Sequence, residues 1–221
     1  LIHDVAFVYP PESLIQEFYS MPYEQYDTTR MRTSIHNTIV NLDTVPLNYG
    51  FPIYTVKDQN ANTLTTYNPS VTNNILPSYT PASAPGGNFN FTPAANPPVN
   101  FKYSNNLTEC MEYTVKHERV GTPDEIGTND NITQVQYLTN YYAYDDASAE
   151  SAFGVVDPGS QVALKFTLTR PDSLSAVYIY FNPAVENASN KVFRFVVWAD
   201  AGGFPGAIIY QSTASYSPAY W

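Results

Sequence analysis

The eleven residues Cys110–Val120 (CMEYTVKHERV) constrain the fold more than any other stretch. Met111, Tyr113, Val115 and His117 alternate with Glu112, Thr114, Lys116 and Glu118. A period of two is the signature of a strand with one wet face, and it is incompatible with an amphipathic helix. The same period runs through Arg30–Leu42, where Met31, Thr33, Ile35, Asn37 and Ile39 share one side. It returns in Gln161–Arg170, where Val162, Leu164, Phe166 and Leu168 do so. Leu174–Phe181 (LSAVYIYF) and Lys191–Trp198 (KVFRFVVW) are apolar on both faces, which predicts central strands of a sandwich. With 19 Tyr and 18 Pro, the chain favours strands and turns over long helices. The one helical expectation is a turn or two at Ser13–Tyr19, with Ser13 as N-cap.

Other elements follow in order. Asp4–Tyr9 reads as a short strand ended by Pro10 and Pro11. Tyr49–Lys57 is a strand in which Pro52 marks an edge or a bulge. Asp58–Asn62 is a turn and Thr63–Tyr67 the returning hairpin arm. Asn68–Pro98 holds seven prolines and Gly86-Gly87, too many for a central strand, and reads as an ordered loop or an insertion. Val99–Tyr103 and Ile132–Thr139 are further strands, and Ala207–Gln211 closes the series. Short strands with turns at regular spacing indicate an all-β chain of two β-sandwich domains, residues 1–139 and 140–221.

Charge and motifs exclude several functions. The net charge is −10, so a phosphate backbone or an anionic membrane is repelled. No run approaches the ~18 apolar residues of a membrane-spanning helix. Cys110 is the only cysteine; no internal disulfide or Cys-based metal site can form, and its strand context predicts a buried, inert thiol. His3, His36 and His117 lack metal-site spacing, and no nucleophile-elbow motif is present. Gly86-Gly87 and Gly202-Gly203 lack the strand–helix setting of a phosphate loop.

Asp145, Asp146 and Glu150, with Asp200, form the richest polar set, able to cap turns or to supply oxygen ligands to a structural Ca²⁺. Asp145 and Asp146 point to opposite sides of an extended chain, a poor arrangement for an acid–base pair, so no catalytic residue is assigned. Tyr141, Tyr142, Tyr144, Tyr216, Tyr220 and Trp221 offer rings on which a sugar could stack; Tyr142, Tyr144 and Trp221 are the candidate ligand-binding residues. Core packing competes with that role for each of them.

Three separated blocks, YYAYDDASAESAFG, LKFTLTRPDSLSAVYIYFNP and FRFVVWADAGGFPGAIIY, resemble a β-jelly-roll module. That module recurs in surface and secreted proteins of Bacteroidetes exported by the type IX secretion system. The resemblance covers about Tyr141–Tyr210, with Ala147 standing where the pattern has Gly. More loosely, HDVAFVYPP and MEYTVKHERVGTPDEIGTNDNI resemble the immunoglobulin-like module that often precedes it. The resemblance implies an immunoglobulin-like sandwich followed by a jelly-roll-like one. It also implies that the second domain is completed beyond Trp221, by further sequence or by another chain. The function it implies is a non-catalytic structural or adhesive module at the bacterial cell surface, meeting other surface proteins, copies of itself or glycans. The competing expectations are a carbohydrate-binding module, an accessory region of a secreted hydrolase and a subunit of an extracellular filament.

Overall fold

A computed structural model of the chain describes residues 4–7, 12–68, 74–76, 88–90, 97–121, 126–146, 154–155, 157, 159–182 and 187–220. Among them there is no α-helix; the regular structure is strand with two short 3-10 turns, Tyr23–Gln25 and Thr28–Arg30. The chain divides into two compact units, Leu1–Asp146 and Ala147–Trp221. The division falls between Asp146 and Ala147, seven residues beyond the boundary expected at 139/140.

The first unit holds two sheets. The smaller joins β1 (Val5–Phe7), β3 (Thr38–Asn41) and β7 (Asn88–Asn90), all antiparallel, in the order β1-β3-β7. The larger joins β2 (Ser20–Pro22), β4 (Leu47–Asp58), β5 (Thr63–Tyr67), β6 (Asn74–Leu76), β8 (Met111–Gly121) and β9 (Asn131–Thr139). Its path is β2-β9-β8-β4-β5, with β6 also on β4; only β2 and β9 run parallel. Along β8, Tyr113, Val115 and His117 turn inward and Glu112 outward, as the alternation requires. Inner-face Tyr54, Val56, Tyr113, Val115 and Leu138 meet Leu14, Ile15, Phe18, Met21, Met31 and Ile35 in one core.

Local chemistry accounts for several details. The hairpin joining β4 to β5 is closed by Asp58, whose Oδ1 accepts the amides of Asn60 and Asn62, both at 2.9 Å. Pro52 coincides with an irregularity in the β4–β8 register, as its missing amide predicts. The Pro-rich stretch contributes only the three-residue strands β6 and β7 among the described residues.

Several expectations for the first unit are corrected, and Val99–Tyr103, expected as a strand, follows only a single bridge at Pro98. Ser13–Tyr19 is not helical. The Ser13 hydroxyl donates to the Ile15 carbonyl at 2.6 Å, and a single bridge pins Ile15 to Met31 while Leu14, Ile15 and Phe18 enter the core. The strand expected over Arg30–Leu42 is reduced to Thr38–Asn41, preceded by single bridges at Met31 and Ser34. Its inward set is nonetheless right for Met31, Ile35, Asn37 and Ile39, but Thr33, expected beside them, is exposed. Cys110 is exposed, because β8 begins one residue later and the thiol lies outside the alternating run.

In the second unit the regular structure described is one antiparallel hairpin, β10 (Val196–Asp200) with β11 (Pro205–Gln211). Gly202 and Gly203 take φ of +69° and +94° in its turn, where a side chain would be strained. Phe193 bridges Tyr216, and the Ser212 hydroxyl accepts the Phe195 amide at 3.1 Å. Among the described residues Gln161–Arg170 and Leu174–Phe181, expected as strands, join no ladder. Their apolar side chains are exposed, Leu164 to 68% and Tyr178 to 96%. A period-two pattern supplies only a face; a strand also needs a neighbouring backbone.

Candidate functional site

Asp145 and Asp146 end the first unit, Asp200 lies in the second, and Glu150 and Trp221 fall outside the described residues. Asp200 serves the β10–β11 turn. Its Oδ1 accepts the Gly203 amide at 2.7 Å and its Oδ2 meets the Lys165 ammonium at 3.1 Å. These two contacts, the amide first, hold its carboxyl below the usual range. Among the described residues no three His, Cys, Asp or Glu side chains converge in a metal-binding group.

The tyrosines separate into two roles. Tyr142 packs on Phe18 at 4.8 Å between ring centroids and belongs to the core margin. Tyr144 covers the same Phe18 ring at 5.0 Å, and burial followed by the charge of Glu17 raises its hydroxyl pKa. Tyr141, between them and the end of β9, is half exposed.

The inner face of the large sheet carries a polar pair that the sequence reading treated as an ordinary strand residue. His117 on β8 is fully buried, with Nδ1 3.2 Å from Asn37 Nδ2 and its ring 5.8 Å from that of Tyr54. An amide donating to Nδ1 leaves the proton on Nε2, which has no hydrogen-bond partner. Burial alone pushes the pKa down to about 3. The ring is therefore neutral at physiological pH and shut off from solvent. A general base needs access to a proton on substrate, and this one has none. One strand away, Gln136 ties β9 to the crossing segment: its Oε1 accepts the Ile15 amide at 3.2 Å and its Nε2 donates to the Tyr19 carbonyl at 2.5 Å.

The outer face is different in chemistry. Thr55, Thr66, Thr114 and Thr133, with Lys57 and Lys116, line an open hollow of about 420 Å³ across β5, β4, β8 and β9. Thr55 and Thr66 are cross-strand partners with hydroxyls 3.5 Å apart. Glu118, which also lines the hollow, is engaged by Lys116 at 2.6 Å. Such a surface can donate and accept hydrogen bonds; it does not pair a hydroxyl with an activating base. At the β2 edge the outward set changes to Tyr19, Tyr137 and Glu112. Glu112 and Tyr137 are in direct register, and the Tyr19 and Tyr137 rings lie 5.6 Å apart. Alternation places Glu112 and Tyr137 on wet faces from sequence, but only the strand pairing reveals that they are neighbours.

No helix among the described residues is long and apolar enough to cross a membrane. Neither a protein-family model, nor a curated protein, nor a solved structure matches this chain.

Proposed function

We propose that this chain is a non-catalytic structural or adhesive module of a secreted or cell-surface bacterial protein, an immunoglobulin-like sandwich followed by a jelly-roll-like one. It acts by contact, with other surface proteins or with copies of itself. The observation that carries this reading is the second unit's run of exposed apolar side chains. Leu164, Leu168, Leu174, Tyr178 and Tyr180 stand in water on segments whose sequence is that of strands. Large exposed apolar surface is a mark of interaction, and an extended segment of this kind meets a partner by adding to its sheet. The acidic, low-charge surface of the first unit supports the same reading, since it keeps such a module soluble between contacts.

Sedimentation equilibrium of the 221-residue chain tests it, beside a Leu164→Lys/Tyr178→Lys variant. The expected result is concentration-dependent association and binding of an apolar dye, both reduced in the variant. A chain that stays monomeric and binds no more dye than the variant would sink the assembly half. Steady turnover of a glycoside or peptide substrate by the purified chain would sink the non-catalytic half.

A further inference from the structure

The β2 edge of the large sheet presents aromatic rings and carboxylates together. Glu112 on β8 and Tyr137 on β9 sit opposite one another and point away from the core that Tyr113, Gln136 and Leu138 enter. Tyr19 is fixed beside them: its amide donates to the Ala143 carbonyl at 2.8 Å, and its carbonyl accepts from Gln136 Nε2 and, at 3.4 Å, from the Tyr137 amide. Its ring inclines 58° to that of Tyr137. Tyr141 is folded back over the end of β9. Its amide reaches Thr139 Oγ1 at 3.4 Å, and its carbonyl accepts the Ser20 hydroxyl at 3.3 Å. The groups sense one another electrostatically: Tyr19 has its hydroxyl pKa raised by burial first, then by Tyr137, Asp146, Tyr141 and Glu112. Tyr137 is raised by burial, Glu112 and Tyr141.

Carboxylates and the faces of phenol rings both attract positive charge. Among the described residues Glu112 forms no ion pair. A neutral sugar could stack on the rings, but it would desolvate the Glu112 carboxylate without neutralising it. A guanidinium does both: it is planar, weakly hydrated, stacks on an aromatic face and bonds a carboxylate with two parallel donors. We propose that Tyr19, Tyr137 and Tyr141, with Glu112 beside them, bind an arginine side chain of a partner polypeptide. The site lies within the first unit and stands whether or not the second unit self-associates.

The test titrates the whole chain, at physiological ionic strength, with a short peptide of two arginines spaced by glycine. The same peptide with citrulline in place of arginine and a neutral cello-oligosaccharide serve as comparators. The readout is the shift of tyrosine ring signals by NMR, with calorimetry for affinity. Saturable binding of the arginine peptide is expected, with about tenfold weakening in Tyr137→Leu and in Glu112→Gln. The citrulline peptide should not bind, and Glu24→Gln, an exposed carboxylate on the Tyr23–Gln25 turn, should leave affinity unchanged. Equal loss in Glu24→Gln would reduce the effect to overall charge and overturn the site. Binding of the oligosaccharide that Tyr137→Leu abolishes would make the patch a sugar platform and overturn the arginine. Absence of saturable binding in the low millimolar range overturns it as well. Should Tyr137→Leu fail to fold, contacts between the arginine side-chain protons and the Tyr19 and Tyr137 rings, seen by NMR in the unmodified chain, decide the matter.

Discussion

His117 makes the stability of the first unit depend on pH in a way that one substitution isolates. In the unfolded chain an imidazole titrates near 6.5; in the fold, burial pushes this ring down to about 3. A depressed folded-state value means that the ring contributes stability above pH 6.5 and loses it as pH falls from there toward 3. At pH 5 the unfolded state gains roughly RT ln(1 + 10^1.5) by protonating, while the folded state gains almost nothing. The difference between pH 7 and pH 5 is about 2 kcal/mol. Protonation in place would also turn Nδ1 from an acceptor into a donor facing Asn37 Nδ2, a clash relieved only by turning the amide so that its unpartnered Oδ1 accepts. Urea unfolding followed by circular dichroism, at both pH values, measures this. The midpoint should fall by about 1 M in the wild type. His117→Gln keeps an acceptor for Asn37 and removes the titrating group. Its own pH-dependent loss, from groups common to both proteins, should be smaller by the same 2 kcal/mol. A constant wild-type-minus-variant difference from pH 7 to pH 5 would refute the reasoning, as would an NMR titration of His117 centred near 6.5 in the folded protein.

Gln136→Met keeps the volume and orphans the buried Ile15 amide, so it should cost about 2–4 kcal/mol in urea unfolding and weaken the arginine site by freeing the Tyr19 carbonyl. Asp130→Ala should cost about 3 kcal/mol, because the guanidinium of Arg119, 3% exposed, then loses the carboxylate that both its Nε and a terminal nitrogen approach; thermal unfolding reads it out. Ala61 holds φ at +63° in the β4–β5 turn, a conformation that costs an L-residue about 1 kcal/mol, so Ala61→Gly should leave stability unchanged or raise it by up to about that amount. A chromogenic disulfide reagent should label Cys110 fully in the native protein, without denaturant.

The two units differ in how far their sequence could be read, and the reason is physical. β8, β9 and the Asp58 hairpin were readable because each signal is local. Alternation assigns His117 inward and Glu112 outward, and an Asx turn needs only residues 58–62. The segment 13–35 was not readable. Its apolar residues fill the core from irregular backbone held by single bridges and by Gln136, a residue more than 100 positions away. In the second unit the same alternation that succeeded for β8 failed for 161–181, since a strand is a property of two backbones and the pattern reports on one. The aromatic–acidic patch drew on three distant stretches, around positions 19, 112 and 137. Tyrosines 142 and 144 form a run in sequence, yet they differ in the fold: both rings meet Phe18, Tyr142 at the core margin and Tyr144 still 43% exposed.

Ser20 and Ala143 exchange backbone hydrogen bonds, Ala143 amide to Ser20 carbonyl at 2.9 Å and Ser20 amide to Ala143 carbonyl at 3.2 Å. They join the outermost strand of the large sheet to the stretch through which the chain leaves the first unit. Tension entering along the backbone from residue 147 onward would therefore reach this antiparallel clip before it reached β9. A clip at a sheet margin opens bond by bond, like a zip, whereas the long β4–β8–β9 ladders resist sliding as a block. Under a steady pull, the first give in this unit would be a few residues of slack released at the rim, with the core on the inner face of the large sheet still intact.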